Sequence, residues 1–199
     1  MKIETFFTSF LASTNLTDID NQELIRYSYQ LKDQSTGVLK SNAGGWQSES
    51  LVIPNAEIAK LVETIQGRIE QVADCWKLKN KNSVVSLENI WININSKTAF
   101  NRPHVHPKST FSGSYYIKCS EQEGGAIVFL HPAINFQYHI DPDTVEDWND
   151  FTSGNIRHSP KEGDLLIFPA YLAHYVEPNL LDEDRISIAF NASIKKINE

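Results

Sequence analysis

The feature that most limits how this chain can fold is a change of apolar period near residue 84. Upstream, PNAEIAKLVETIQGRIEQVADCW carries Ile58, Leu61, Val62, Ile65, Ile69, Val72 and Trp76 at helical spacing. Downstream, VVSLENIWININ sets Val85 and Leu87, then Ile90, Ile92 and Ile94, against polar neighbours with a period of two. FSGSYYIK, AIVFL, DLLIFP, AHYVE and RISIAFNASI follow as further short strand candidates. Helices first and short strands afterwards predict an α+β chain. Its second half then folds as a sandwich or jelly-roll barrel, with the helices packed outside.

The helical part begins earlier, in DIDNQELIRYSYQLKDQ. Asp20 with Glu23 three residues on reads as a capping box, and Leu24, Tyr27 and Leu31 share a face. Asn55 is the expected N-cap of the second helix, and STGVLKSNAGGWQS is a loop between the two. Residues 132–160 are poor in apolar positions and include Pro132, Pro142, Gly154 and Pro160, which predicts a long functional loop or lid over a substrate. A length of 199 residues with 41% hydrophobic content suits one domain, with helical support over about 18–79 and a β core over about 84–194.

A net charge of -7 argues against general nucleic-acid binding, which is driven by phosphate neutralisation. Cys75 and Cys119 stand far apart in no CxxC pattern, which reads as two free thiols in a reducing compartment. MKIETFFTSFLAS is too short and too acidic for a signal peptide, and no apolar run approaches the length of a membrane span. The expectation is a soluble cytoplasmic protein without a membrane partner. Oligomeric state is left open, a homodimer included, and so is the substrate, whether small molecule or protein.

Three features carry chemistry, in a fixed order: HVH at 104–106, EGDLLIFPAYLAH ending at His174, and RISIAFN beginning at Arg185. On a strand, residues i and i+2 share a face, so His104 and His106 would aim two imidazoles at one point. A third imidazole, His174 from a distant strand, could close one face of a metal ion and leave the remaining positions open. In the last strand, alternation puts Arg185, Ser187, Ala189 and Asn191 on one face and Ile186, Ile188 and Phe190 on the other. Two readings stand for Arg185. It is a carboxylate anchor, with Ser187 adding a hydrogen bond, or an exposed cation paired with Asp182, Glu183 or Asp184.

The order of these parts resembles the iron(II)- and 2-oxoglutarate-dependent oxygenases, which fold as a double-stranded β-helix. In that superfamily an HxD pair opens the site, a distal His follows, and an Arg about ten residues beyond it holds the far carboxylate of 2-oxoglutarate. SNAGGWQS, HPKSTFSGSYYIK and FPAYLAHYVEPN resemble more closely a small group of uncharacterised members, over about residues 41–194. The resemblance implies a hydroxylase-type dioxygenase with Fe(II) held by His104, His106 and His174, and 2-oxoglutarate as cosubstrate against Arg185 and Ser187. It also implies supporting contacts to 2-oxoglutarate from Tyr115, Asn93, Asn95 and Asn191. His106 stands where the superfamily carries Asp. With an Asp ligand, Fe²⁺ and dianionic 2-oxoglutarate leave one net negative charge, whereas three imidazoles leave none.

Two other readings compete. GDLLIFPAYLAH fits much of the second cupin motif, but no Glu follows His106 at the cupin spacing, where Thr110 and Phe111 stand. A non-catalytic binding module on the same scaffold is the second. Trp46 and Trp91 are expected to be packing residues. His131, His139 and His158 are expected to be solvated or substrate-facing rather than ligands.

Overall fold

The structure is a computed structural model that describes residues 1–52, 56–120, 124–133 and 135–197. The expected N-cap Asn55 lies outside the described residues. In chain order the elements are β1 (Ala12–Asn15), α1 (Asn21–Gln34), β2 (Asn42–Ala43), β3 (Trp46–Gln47), α2 (Ala56–Cys75), β4 (Ser83–Asn95) and β5 (Phe100–His104). They continue with β6 (Phe111–Lys118), β7 (Ile127–Leu130), β8 (Asn155–His158), β9 (Asp164–Pro169), β10 (His174–Val176) and β11 (Arg185–Lys196). The strands form two antiparallel sheets, a larger one in the order β1-β9-β6-β11-β4-β3 and a smaller one in the order β2-β5-β10-β7-β8. This is the expected α+β architecture with a double-stranded β-helix core. β1, the two-residue β2 and β3, β5 and β8 are strands that the apolar period does not reveal.

Both helices pack on the outer face of the larger sheet. Leu24 of α1 and Ile58, Leu61, Ile65 and Ile69 of α2 are fully buried against Ile92, Ile188 and Phe190. Alternation therefore sends every second residue of β4, β6 and β11 into this apolar layer and the others into the space between the sheets. Gly113 on β6 is required by close approach, since a Cβ there would lie 2.2 Å from Phe190 Cζ and 2.3 Å from the Leu166 carbonyl.

The predicted cap of α1 forms in half. Asp20 Oδ1 accepts from the Glu23 N–H at 3.1 Å, but the Glu23 side chain turns to Arg26. The Asp20 N–H instead donates to Glu57 Oε1 of α2 at 2.7 Å. A tertiary contact thus replaces the local reciprocal bond.

A second, smaller apolar cluster lies between the sheets and includes Tyr116, Ile127, Phe129 and Phe168. Residues 132–160 hold two short 3-10 turns, Phe136–His139 and Pro142–Thr144, and then β8. They expose Tyr138, Trp148 and Phe151.

Candidate functional site

The site lies between the sheets, where the polar rows of β4 and β11 meet. In the antiparallel register Arg185 faces Asn95, Ser187 faces Asn93, Ala189 faces Trp91 and Asn191 faces Asn89. The alternation that buries isoleucines against the helices gathers these side chains on the opposite face. On the other side of β11, Ser187 faces Tyr116 and Ile188 faces Tyr115.

The three histidines converge from two strands of the smaller sheet. His104 ends β5 and lies opposite His174 of β10, while His106 sits two residues beyond the strand, its backbone N–H donating to the Ala170 carbonyl at 3.0 Å. The expected two-residue strand repeat is therefore cut short, but the convergence is present. Ring centroids are 4.4 Å apart for His104 and His174, 4.9 Å for His104 and His106, and 5.2 Å for His106 and His174. One ring nitrogen from each lies within 4.8 Å of the other two.

Two of the rings are pinned. His104 Nδ1–H donates to the Arg102 carbonyl at 2.7 Å and His174 Nδ1–H to the Leu172 carbonyl at 2.9 Å. A carbonyl can only accept, so in both rings Nδ1 carries the proton and Nε2 keeps its lone pair. Burial pushes the His174 imidazole down to about 3 and the His106 imidazole down to about 4, with the neighbouring rings adding to the effect. Burial also lowers His104, against the raising effect of its bond to the Arg102 carbonyl. All three are neutral near pH 7, which is the form that donates to a metal.

Arg185 is buried, at 3% exposure, which removes the reading as an exposed ion pair. The three acids that competed for it are occupied elsewhere. Asp182 pairs with Lys97 at 2.8 Å, Glu183 with Lys118 at 3.0 Å, and Asp184 accepts from the Tyr29 hydroxyl at 2.9 Å. Arg185 Nη1 donates to the carbonyls of Gly124, Gly125 and Glu177 at 2.7, 3.1 and 3.3 Å. One nitrogen is spent on this seat, and the rest of the guanidinium shares a pocket with Ser187, Asn93, Tyr116 and the three histidines. Among the described residues no Asp or Glu lines that pocket. Asn93 Oδ1 is buried there without a hydrogen-bond partner, so the pocket calls for a polar ligand.

Three supporting residues are placed differently from expectation. Tyr115 points into the helical layer, where its hydroxyl donates to Asn21 Oδ1 at 2.7 Å; its neighbour Tyr116 faces the pocket instead. Burial pushes the Tyr116 hydroxyl up to about 12, opposed by the Arg185 charge beside it. The signal was in the strand itself, because Phe111, Tyr115 and Ile117 form its apolar row and Ser112, Ser114 and Tyr116 its polar one. Asn95 does not line the pocket; its Nδ2 donates to Asn101 Oδ1 at 3.3 Å. Asn191 is likewise engaged, accepting from the Ser112 hydroxyl at 2.7 Å.

Trp91 has more than a packing role, since it stands beside His106 with ring centroids 6.0 Å apart and lines the pocket. Trp46 packs against the apolar layer and donates Nε1–H to the Ser35 carbonyl at 2.9 Å. His131 stacks on Phe136 at 4.0 Å, and neither it, His139 nor His158 joins the cluster of three. None of the described residues of 132–160 lines the pocket or the groove outside it.

Comparison with solved structures places the fold. A viral collagen prolyl hydroxylase from Paramecium Bursaria Chlorella virus-1, in complex with 2OG, is 15% identical with a TM-score of 0.59, covering 92% of this chain and 94% of that one. A Pseudomonas putida prolyl-4-hydroxylase is 12% identical with a TM-score of 0.64, covering 94% of each chain. HygX from Streptomyces hygroscopicus, with nickel and 2-oxoglutarate bound, is 12% identical with a TM-score of 0.60, covering 94% of this chain and 83% of that one. At these identities the likeness is one of fold. No curated protein matches the chain. The family model described as "Putative 2OG-Fe(II) oxygenase" matches residues 89–191, a stretch that holds all three histidines, Arg185 and Ser187. Since that model spans just over half of the chain and encloses the three histidines and Arg185, the protein belongs to this 2OG-Fe(II) oxygenase family.

Proposed function

We propose that the protein is a hydroxylase-type oxygenase that uses Fe(II) held by His104, His106 and His174 and 2-oxoglutarate anchored by Arg185 and Ser187. The observation that carries this reading is the shared pocket, in which three neutral imidazoles and one buried guanidinium face each other with no carboxylate among the described lining residues. The donor set fits the iron(II) and 2-oxoglutarate of the family. Nitrogen ligands suit Fe(II), and a guanidinium suits a carboxylate through parallel hydrogen bonds.

When bound, iron and 2-oxoglutarate supply the oxidation: one substrate C–H becomes C–OH while O₂ and 2-oxoglutarate become succinate and CO₂. The chain supplies position and dryness. The Arg102 and Leu172 carbonyls hold the His104 and His174 rings with Nε2 aimed inward. The carbonyls of Gly124, Gly125 and Glu177 fix Arg185, so that its free N–H groups meet a carboxylate without reorganising. Ser187 and Tyr116 offer hydroxyl donors to the same carboxylate, and Asn93 offers an amide. Ile127, Phe168 and Val176 line the pocket and exclude water. A cupin reading leaves the buried Arg185 without a role.

The test is an anaerobic titration of the metal-free protein with Fe²⁺ and 2-oxoglutarate, followed by the visible charge-transfer band of the chelate. Wild type should develop the band. His174→Ala should lose the metal, and Arg185→Ala should keep the metal but weaken 2-oxoglutarate. Unchanged 2-oxoglutarate affinity in Arg185→Ala would remove the anchor assignment.

A further inference from the structure

The pocket opens outward. Ser41, Trp91, His104 and His106 line both the inner pocket and an outer groove of about 710 Å³, so the two are one continuous space. On the function proposed above, the cosubstrate fills the inner end against Arg185, and the groove receives the primary substrate.

The charge of this space is opposite to that of the chain. The protein carries 25 acidic and 18 basic residues, yet among the described residues the groove wall carries Lys40 and Arg102 against a single acid, Glu49. The inner pocket adds Arg185 and, among the described residues, no acid. Among the described residues neither Lys40 nor Arg102 has an ion pair, whereas Lys97, Lys118, Arg157 and Lys195 each have one. Among the described residues the Arg102 guanidinium makes a single long hydrogen bond, Nη1 to the Asn42 carbonyl at 3.5 Å.

Arg102 is directed there by an irregularity of the sheet. Opposite β10, His174 pairs with His104 and Val176 with Asn101, so β5 spends one residue more than its partner. Such a bulge lets two residues three apart, Asn101 and His104, both face the pocket, and it turns the intervening Arg102 out to the groove. Three neutral imidazoles leave the charge of a divalent metal to be balanced by dianionic 2-oxoglutarate alone. The cations of Arg185, Lys40 and Arg102 then exceed Glu49, and a substrate must enter a field that favours negative charge.

We propose that the primary substrate is an anion, with a carboxylate or phosphate group seated against Lys40 and Arg102 beside His104 and His106. Trp91, beside His106, supplies an apolar part of the groove wall.

The experiment uses the full chain loaded with paramagnetic Co(II) and saturating 2-oxoglutarate, with the Zn(II)-loaded protein as the diamagnetic reference. Fluorine NMR follows trifluoroacetate, monofluorophosphate and neutral trifluoroethanol as probes. Wild type should broaden one of the anions saturably and leave trifluoroethanol sharp. Tighter binding of trifluoroacetate assigns a carboxylate, and tighter binding of monofluorophosphate assigns a phosphate. Lys40→Gln combined with Arg102→Gln should weaken the anion roughly tenfold, as loss of two exposed ionic contacts predicts, with 2-oxoglutarate affinity unchanged. Lys40→Arg with Arg102→Lys should restore it. Anion affinity unchanged in the Gln pair, or trifluoroethanol broadened as strongly as the anions, would overturn the proposal. If wild type fails to bind 2-oxoglutarate at all, the oxygenase reading fails first; if it binds 2-oxoglutarate but no anion, only the substrate class is wrong.

Discussion

Gly125→Ala is the sharpest probe of how the site is built, because it touches neither metal nor cosubstrate directly. Gly125 has φ +87, and a Cβ there would lie 2.2 Å from Arg185 Nη1 and 2.4 Å from the Glu177 carbonyl oxygen. Placing a side chain in left-handed backbone costs about 1–2 kcal/mol. Forcing a methyl into this contact adds about 1–3 kcal/mol, because the carbonyl is backbone and the guanidinium is seated on three acceptors. The reduced freedom of the unfolded chain returns roughly 0.5 kcal/mol. The net loss is about 2–4 kcal/mol, or about 1–2 M off the urea midpoint of the metal-free protein. Arg185 should also be displaced, and the loss of a charged hydrogen bond of about 1.5–3 kcal/mol would weaken 2-oxoglutarate by about 10- to 100-fold. Gly67→Ala is the control. Gly67 lies in α2 with nothing within 4 Å of a Cβ, so it should gain roughly 0.5–1 kcal/mol and leave 2-oxoglutarate binding alone. A Gly125→Ala protein with the wild-type midpoint and wild-type 2-oxoglutarate affinity would refute the idea that this turn seats the arginine.

Further outcomes are expected on the same reasoning. Tyr116→Phe should weaken 2-oxoglutarate in the anaerobic titration, whereas Tyr115→Phe should leave it unchanged and lose about 1 kcal/mol of stability with the Asn21 bond. His106→Asp should still take up metal by elemental analysis, and its added negative charge should lower the potential of the bound iron in a redox titration. Burial pushes both Tyr115 and Tyr116 up to about 12, so the folded protein keeps protons that the unfolded chain releases near 10. Stability from these groups is therefore complete below pH 10 and falls as pH rises towards 12. Absorbance titration of the phenolates should show Tyr115 and Tyr116 ionising late, together with Tyr29, which burial and its bond to Asp184 also push up to about 12, and a normal titration in the native state would contradict their burial.

The sequence by itself determined the kinds of element and the order of the candidate site residues. A helical apolar period in residues 58–76 and a period of two after residue 84 are local properties, because each follows from which neighbours must share a buried face. The order of His104, His106, His174 and Arg185 was legible through its resemblance to the oxygenase superfamily, whereas alternation alone left Arg185 open between pocket and solvent. The structure decided what local pattern leaves open. Alternation says that Tyr115 and Tyr116 face opposite ways, but the helices packed on one side of β6 decide which of them reaches the pocket. The extra residue in β5 that turns Arg102 outward exists only relative to β10, over seventy positions away in the chain. Whether Arg185 would sit in water beside its three acidic neighbours or inside a pocket depended on the carbonyls of Gly124, Gly125 and Glu177 and on the partners found by Asp182, Glu183 and Asp184. Periodicity is a property of one segment; burial, register and charge balance are properties of segments brought together, and they set the pocket's contents.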